Sequence, residues 1–295
     1  MLKFLLKIKE YDILIKDFHT HTNNSDGTKT PEELIDLAVS RGIKSLAVTD
    51  HDSIKGLKTA VSYAQGKLSF TPGVEFTTRD EKFPQTDGKY CLHILGYGFD
   101  IYNDRLNFAL DDRAKRVKKS YDVLIRNLEK YGMYFDYSQV KISCGIVMQM
   151  CDIAAYVEEH YKDNPKLKNA IEEIYGYAEN LDFENFSLGD CIELIHNAGG
   201  KAVWAHPFNV YRNFSKQIIG EEQVEYILKA AVSLGIDGIE ALYGDFTHEE
   251  RLALCSIAKK NGLFVTCGSD YHGFKNKRNR FIEFDTDIYS DFEIL

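Results

Sequence analysis

Residues 30–51 read TPEELIDLAVSRGIKSLAVTDH, and the fold is decided there. Thr30 followed by Pro31 and two glutamates is a helix start. The hydroxyl caps free amides, and proline sits where no amide donor is needed. Leu34, Leu37 and Ala38 recur at helical spacing, and Arg41 and Gly42 close the helix with a glycine terminus. Ile43 to Val48 then runs apolar, as a strand buried on both faces does. It stops at Thr49, Asp50, His51 and Asp52. A helix followed by a buried strand that delivers polar side chains off its end is the unit of a parallel α/β sheet.

The unit recurs on both sides. Ile13 to Phe18 reads as a strand delivering His19 and His21. A helix from Ile54 to about Gln65 precedes a strand over Leu68 to Phe76 that carries Glu75, and Tyr90 to Tyr97 is a strand carrying His93. From Leu188 the pattern returns: a helix through Cys191, Leu194 and Ile195 ends at Gly199 and Gly200, and Ala202 to Ala205 delivers His206. Helices over Glu222–Ser233 and Glu249–Lys260 alternate with strands over Ile236–Tyr243 and Leu263–Cys267, the last leading into Asp270 and His272. Such alternation predicts parallel pairing, with the site at the C-terminal ends of the strands. The stretch 103–186 departs from it, with helical spacing at Val117, Tyr121, Leu124, Ile125 and Leu128. The expected division is a first barrel part over 1–102, a helical insertion over the barrel mouth at 103–186, and a second barrel part over 187–295.

Composition sets bounds. The 295 residues, 44% hydrophobic and 27% charged, suit a globular protein with one large core. A net charge of −9 argues against broad nonspecific nucleic-acid binding, though not against a local basic pocket; no stable nucleic-acid complex is expected, and carboxylates that bind cations inflate the charge. The six cysteines (Cys91, Cys144, Cys151, Cys191, Cys255, Cys267) form no Cys-x-x-Cys pair, which suits free thiols in a reducing compartment. Met1 to Glu10 carries three lysines and no small-residue cleavage site, so it reads as an extra strand rather than a signal. No apolar run approaches membrane-spanning length. The expected location is cytoplasmic.

Imidazoles and carboxylates at strand ends are the donor set of a divalent-cation cluster. His19 and His21, two apart in a strand, leave the same face. Glu75 ends a buried strand, where a carboxylate is costly unless paired or metal-bound. His51 stands between Asp50 and Asp52, which are placed to orient it from behind. Each motif alone also has a structural reading: Asp26 as a turn residue, His93 as a hydrogen-bonded core histidine. Their joint occurrence favours a polynuclear metal site.

These segments resemble the PHP (polymerase and histidinol phosphatase) family. The matching residues are Asp17 to His21, Thr49 to Asp52, Gly73 to Glu75, Ala205 to Pro207 and Gly268 to His272, in the family's order. The resemblance implies a distorted (β/α)7 TIM-like barrel with a trinuclear centre of two to three divalent ions, manganese, iron or zinc. His19, His21, Glu75 and Asp270 would hold the first ion, Asp26, His51 and His272 the second, and Glu75, His93 and His206 the third. It implies hydrolysis of a small phosphomonoester, for instance a nucleotide, a nucleoside bisphosphate or a short oligonucleotide. The attacking group would be a metal-bridging hydroxide held by His19, His21, Glu75 and Asp270. His160 and His196 read as solvated, and His248 as a helix-start residue.

The nucleotide-acting subgroup, 3′,5′-nucleoside bisphosphate phosphatases and exoribonuclease-like relatives, carries an Arg-Pro-His-like segment in its insertion. Here Ile142 to Val147 lacks both charged residues. Arg113 and Arg116 are the candidate phosphate contacts, with a solvated basic face as the commoner reading of that spacing. The basic run Lys275 to Arg280 has the same two readings. Tyr243 and Phe208 are candidate stacking residues or ordinary barrel packing. Two rival functions fit parts of the pattern: an amidohydrolase, and a metal-binding regulatory module with weak or no catalysis.

Overall fold

Seven strands pair in the order β1 (Lys16–Asp17), β2 (Ser45–Val48), β3 (Ser69–Thr77), β6 (His93–Tyr97), β7 (Lys201–Trp204), β10 (Gly238–Tyr243) and β11 (Phe264–Gly268). The computed structural model describes residues 16–273 except 87, 144, 146, 147, 213 and 214. The expected N-terminal strand, the run Lys275 to Arg280 and part of Ile142 to Val147 lie outside these residues. The two sheet edges meet: Phe18 donates to the Cys267 carbonyl at 3.0 Å, and Thr20 bridges Tyr271 in parallel. The result is a barrel.

The outer helices arise as their local sequence dictates. Helix α1 (Pro31–Ser40) starts with a reciprocal capping box between Thr30 and Glu33 and buries Leu34, Ile35 and Ala38. Helix α2 (Leu57–Ala64) connects β2 to β3. Helices α7 (Leu188–Asn197) and α9 (His248–Lys260) open with capping boxes at Ser187 and Thr247, and α8 (Glu221–Ser233) lies between them in sequence. His248 is indeed the first residue of its helix.

The expectation of uniformly parallel pairing fails at one strand. β6 runs antiparallel to both β3 and β7. The cause is the connection: among the described residues between β3 and β6 there is no helix, only the two-stranded β4 (Glu81–Lys82) and β5 (Lys89–Tyr90). A parallel partner needs a crossover of a dozen or more residues, usually helical, whereas a chain that doubles back pairs antiparallel. His93 therefore reaches the barrel mouth from the beginning of its strand, opposite Thr77 at the end of β3.

This reversal leaves the chain at the barrel's bottom after Tyr97. Helix α3 (Asp104–Leu128), 25 residues and about 37 Å long, then climbs past the mouth. Its lower residues Leu106 and Leu110 pack into the barrel core, while Leu124, Ile125 and Leu128 belong to a second core. That second core is completed by α4 (Met150–His160), α5 (Leu167–Gly176) and Met133, with α6 (Ala178–Asp182) leading back toward α7.

Gly268, at the end of β11, illustrates how tightly the mouth is built. A Cβ there would lie 2.2 Å from the His19 Cβ and 2.5 Å from Glu240 Oε1. Gly268→Ala is expected to destabilise the protein by about 1–3 kcal/mol through overpacking. Chemical denaturation followed by circular dichroism checks this.

Candidate metal centre

Six imidazoles and three carboxylates meet at the barrel mouth, organised around Glu75. Glu75 is 1% exposed, and its two oxygens face different histidines. Oε2 lies 3.0 Å from His19 Nε2, 3.1 Å from His21 Nε2 and 3.4 Å from His51 Nε2. Oε1 lies 2.9 Å from His93 Nδ1 and 3.3 Å from His206 Nε2. Asp270 Oδ1 approaches His21 Nε2 at 3.3 Å and His272 Nδ1 at 3.4 Å, and Asp26 Oδ2 approaches His272 Nε2 at 3.1 Å. Three donor groups emerge: His19, His21, Glu75 and Asp270; His21, Asp26, His51 and His272; and His51, Glu75 and His93. His206 joins the third through the same Glu75 oxygen that His93 meets.

The donors fit cations better than they fit one another. Separations near 3 Å are those of donor atoms sharing an ion at bond lengths of about 2.0–2.2 Å. Both ring nitrogens of His21 and Nδ1 of His51 are buried without a hydrogen-bond partner, although His21 lies close to three carboxylates. These contacts lack hydrogen-bond alignment, and a buried donor without a partner is costly unless something else satisfies it.

Burial raises the Glu75 carboxyl, but the imidazoles around it, His51 first and then His19 and His93, hold it well below the usual range. Asp270 is likewise held low, against burial, by His272 and His19. Burial lowers His21, yet the Asp270 and Glu75 carboxylates beside it take it up to about 10. His51, dominated by burial, falls to about 4. Protons on His19 and His21 balance the carboxylates beside them, and a cation taking their place would release those protons.

A layer of residues outside these groups fixes them. Glu240, fully buried in β10, accepts at Oε1 from His19 Nδ1 at 2.9 Å and at Oε2 from the His206 backbone N–H at 2.9 Å. Asp17 accepts from the Ser269 hydroxyl and the His19 amide, while burial pushes its pKa up to about 7. The sequence reading missed Glu240, although a lone charge inside the otherwise apolar strand Gly238–Tyr243 is the same signal that singled out Glu75. His206 and Asp270 have positive φ of 33° and 54°, as has Asp52 at 49°, so backbone strain is concentrated at this mouth.

Other expectations change. Asp50 does not orient His51: it accepts from the Thr22 amide and hydroxyl and from Ser25. Asp52 pairs with Arg113 at 2.9 Å instead. Tyr243 is not a stacking surface, being buried with its hydroxyl on Asp270 Oδ2 at 2.8 Å, and Phe208 is buried against Phe246. His196 is not merely solvated, since it bonds Asp237 at 2.7 Å, and His160 stacks on Tyr156. Of the described cysteines, Cys91, Cys191, Cys255 and Cys267 are buried free thiols and Cys151 is an exposed one.

The centre opens into a cavity of about 1720 Å³, walled by α3 and the residues of the second core. Arg113 lines it, giving one guanidinium nitrogen to Asp52 and to Asn185 at 2.6 Å, with Nε left without a partner. Arg116 does not line it. Its guanidinium is engaged by Asp112 and Glu184.

Comparison with known proteins agrees with this architecture. A 5′-3′ exoribonuclease of Escherichia coli is 25% identical over 281 residues, spanning 88% of this chain and 85% of its own. A 3′,5′-nucleoside bisphosphate phosphatase of Chromobacterium violaceum is 26% identical, spanning 87% and 86%. A solved Bifidobacterium adolescentis structure, described as a metal-dependent phosphoesterase, superposes with a TM-score of 0.65 at 23% identity, covering 93% of this chain and 94% of that one. The PHP domain profile matches residues 17–199, well over half of the chain. The chain belongs to the PHP domain family.

Proposed function

We propose that the protein is a metal-dependent phosphoesterase that hydrolyses a small phosphomonoester, with His19, His21, Asp26, His51, Glu75, His93, His206, Asp270 and His272 holding two or three divalent ions. The observation that carries this reading is Glu75, buried between two sets of imidazoles with one oxygen turned to each. Bound manganese, iron or zinc would lower the pKa of water and neutralise charge on a phosphate. The chain's own part is to hold those donors at fixed separations and to keep their outer nitrogens occupied, as Glu240 does for His19. The segment 103–186 acts as the cap that shapes the substrate cavity.

Arg113 is the phosphate-facing group in this reading. Asp52 and Asn185 fix its guanidinium on the cavity wall while Nε faces no protein acceptor. A nucleotide or nucleoside bisphosphate suits this cavity, where the aromatic side chains Tyr137, Tyr175 and Phe183 also line it and are 52%, 53% and 75% exposed. Rings left in water beside an anion site suit stacking on a base. The named activities of the relatives point the same way.

Metal-depleted protein reconstituted with manganese should release phosphate from a panel of nucleotides, bisphosphates and sugar phosphates, and a chelator should abolish it. Full activity after stripping overturns the reading, and hydrolysis of amides without phosphate release favours the amidohydrolase. Arg113→Ala is expected to raise KM about tenfold or more, since a charge-assisted hydrogen bond is worth roughly 1.5–3 kcal/mol. Arg116→Ala should leave KM unchanged. Steady-state kinetics on the two variants separates the arginines.

A further inference from the structure

His93 differs from its neighbours in how it is held. A histidine ring turns about a broad, two-fold torsion, so its plane is set by what surrounds it rather than by a rotamer. His19 is fixed from behind by Glu240, His206 by the Asn209 carbonyl at 3.1 Å from Nδ1, and His272 by the Asp270 carbonyl at 2.8 Å. His93 spends Nδ1 on Glu75 itself. The Tyr211 ring stacks on its face at 4.5 Å between centroids and 12° between planes, while the His51 and His206 rings meet it edge-on.

Tyr211 is held there by the backbone. It lies on β8 (Asn209–Arg212), paired antiparallel with β9 (Ser215–Ile218) in a hairpin. It exchanges two main-chain hydrogen bonds with Cys91, at 2.8 and 3.0 Å. Residues 91 and 93 share a strand face, so a ring opposite 91 falls diagonally across 93. The root of the same hairpin holds His206: the Asn209 amide donates to the His206 carbonyl at 2.7 Å while its carbonyl takes the ring nitrogen. That double contact secures His206 in its left-handed conformation and turns Nε2 to Glu75 Oε1.

We propose that the paired strands β8 and β9 are a positioning element for one side of the metal centre, with Tyr211 as the residue that sets the plane of His93. This rests on the metal reading above. Tyr211 is a positioning residue: its flat face is what matters, while the ligating atoms belong to the histidines. Groups that orient a metal-binding imidazole change cation affinity about 10–100-fold when removed.

The test is a cobalt(II) titration of the metal-depleted full chain, followed by visible absorption, on the parent, Tyr211→Phe and Tyr211→Leu. Tyr211→Phe, which keeps the face, should titrate like the parent. Tyr211→Leu should weaken one class of site at least tenfold, while its circular dichroism stays native. Tyr211→Met, similar in bulk but not flat, takes its place if the leucine variant does not fold. Parental affinity in the folded leucine or methionine variant overturns the proposal, as does equal weakening by phenylalanine, which would assign the effect to the hydroxyl. A parent protein that takes up no cobalt overturns the metal reading itself, and this inference with it.

Discussion

Glu75→Ala is expected to strip the centre of its cations and to lower phosphate release by at least about a thousandfold. The magnitude follows from what metal ions contribute to phosphoryl chemistry. Several kcal/mol of charge stabilisation are lost with them, and about 4 kcal/mol corresponds to three orders of magnitude in rate. Glu75 is the one carboxylate in contact with His19, His21, His51, His93 and His206 together. Removing it deprives every proposed ion set that shares it, and it takes from His51, His93 and His206 the carboxylate they meet there, while His19 and His21 keep Asp270. Glu75→Gln separates charge from volume, because the amide fills the same space but cannot bridge cations as a carboxylate does. Metal content per chain by mass spectrometry, read beside phosphate release, gives the result. Near-parental metal content and turnover in the Gln variant would refute the bridging role.

The second large effect is expected at Glu240, which lies one layer further out. Glu240→Gln should weaken cation binding about 10–100-fold, with activity partly restored by excess metal. The reason is a proton count. The carboxylate accepts both from His19 Nδ1 and from the His206 amide. A glutamine has one oxygen, so it satisfies only one of them. If its NH₂ turns to His19, Nδ1 must become the acceptor, and the proton moves to Nε2, the nitrogen that faces Glu75. Glu240→Leu leaves both donors stranded and adds a cost of about 1–3 kcal/mol for each buried unsatisfied group. Calorimetric titration with manganese on the parent and the Gln variant checks the first effect. Equal affinity for the two would show that Glu240 only packs.

Much of the architecture was legible because period and punctuation agreed. Thr30 with Pro31, the spacing of Leu34 and Ala38, and the run from Ile43 to Val48 all find their elements in α1 and β2. The same holds for the strand that ends near Glu75. Direction was not legible: hydrophobic periodicity is identical for a strand read either way, and only the missing helix between Thr77 and His93 hinted that β6 turns back. Adjacency misled at His51. Asp50, one before His51 in the extended segment, leaves the opposite face, and Asp52 turns off it at a positive φ of 49°, so the two serve Thr22 and Arg113 rather than the imidazole between them. Glu240 and His19 stand 221 positions apart, and no local pattern joins them. Arg113 and Arg116 looked equivalent at a spacing of three, yet a single helical turn separates a cavity-lining guanidinium from one bound to Glu184.

The reversed strand has a consequence for how such proteins diversify. Because β6 ends at the floor of the barrel and β7 starts there, the excursion from 98 to 200 leaves and rejoins the sheet at two neighbouring points, Tyr97 and Lys201, and packs on the barrel through the near end of α3 and through α7. For a flexible connection, doubling the length of chain between two fixed points costs only about 0.6 kcal/mol in closure entropy. The barrel can therefore accept a longer, shorter or wholly different roof between those points while the histidines below keep their places. Selection for a new substrate can act on the roof alone.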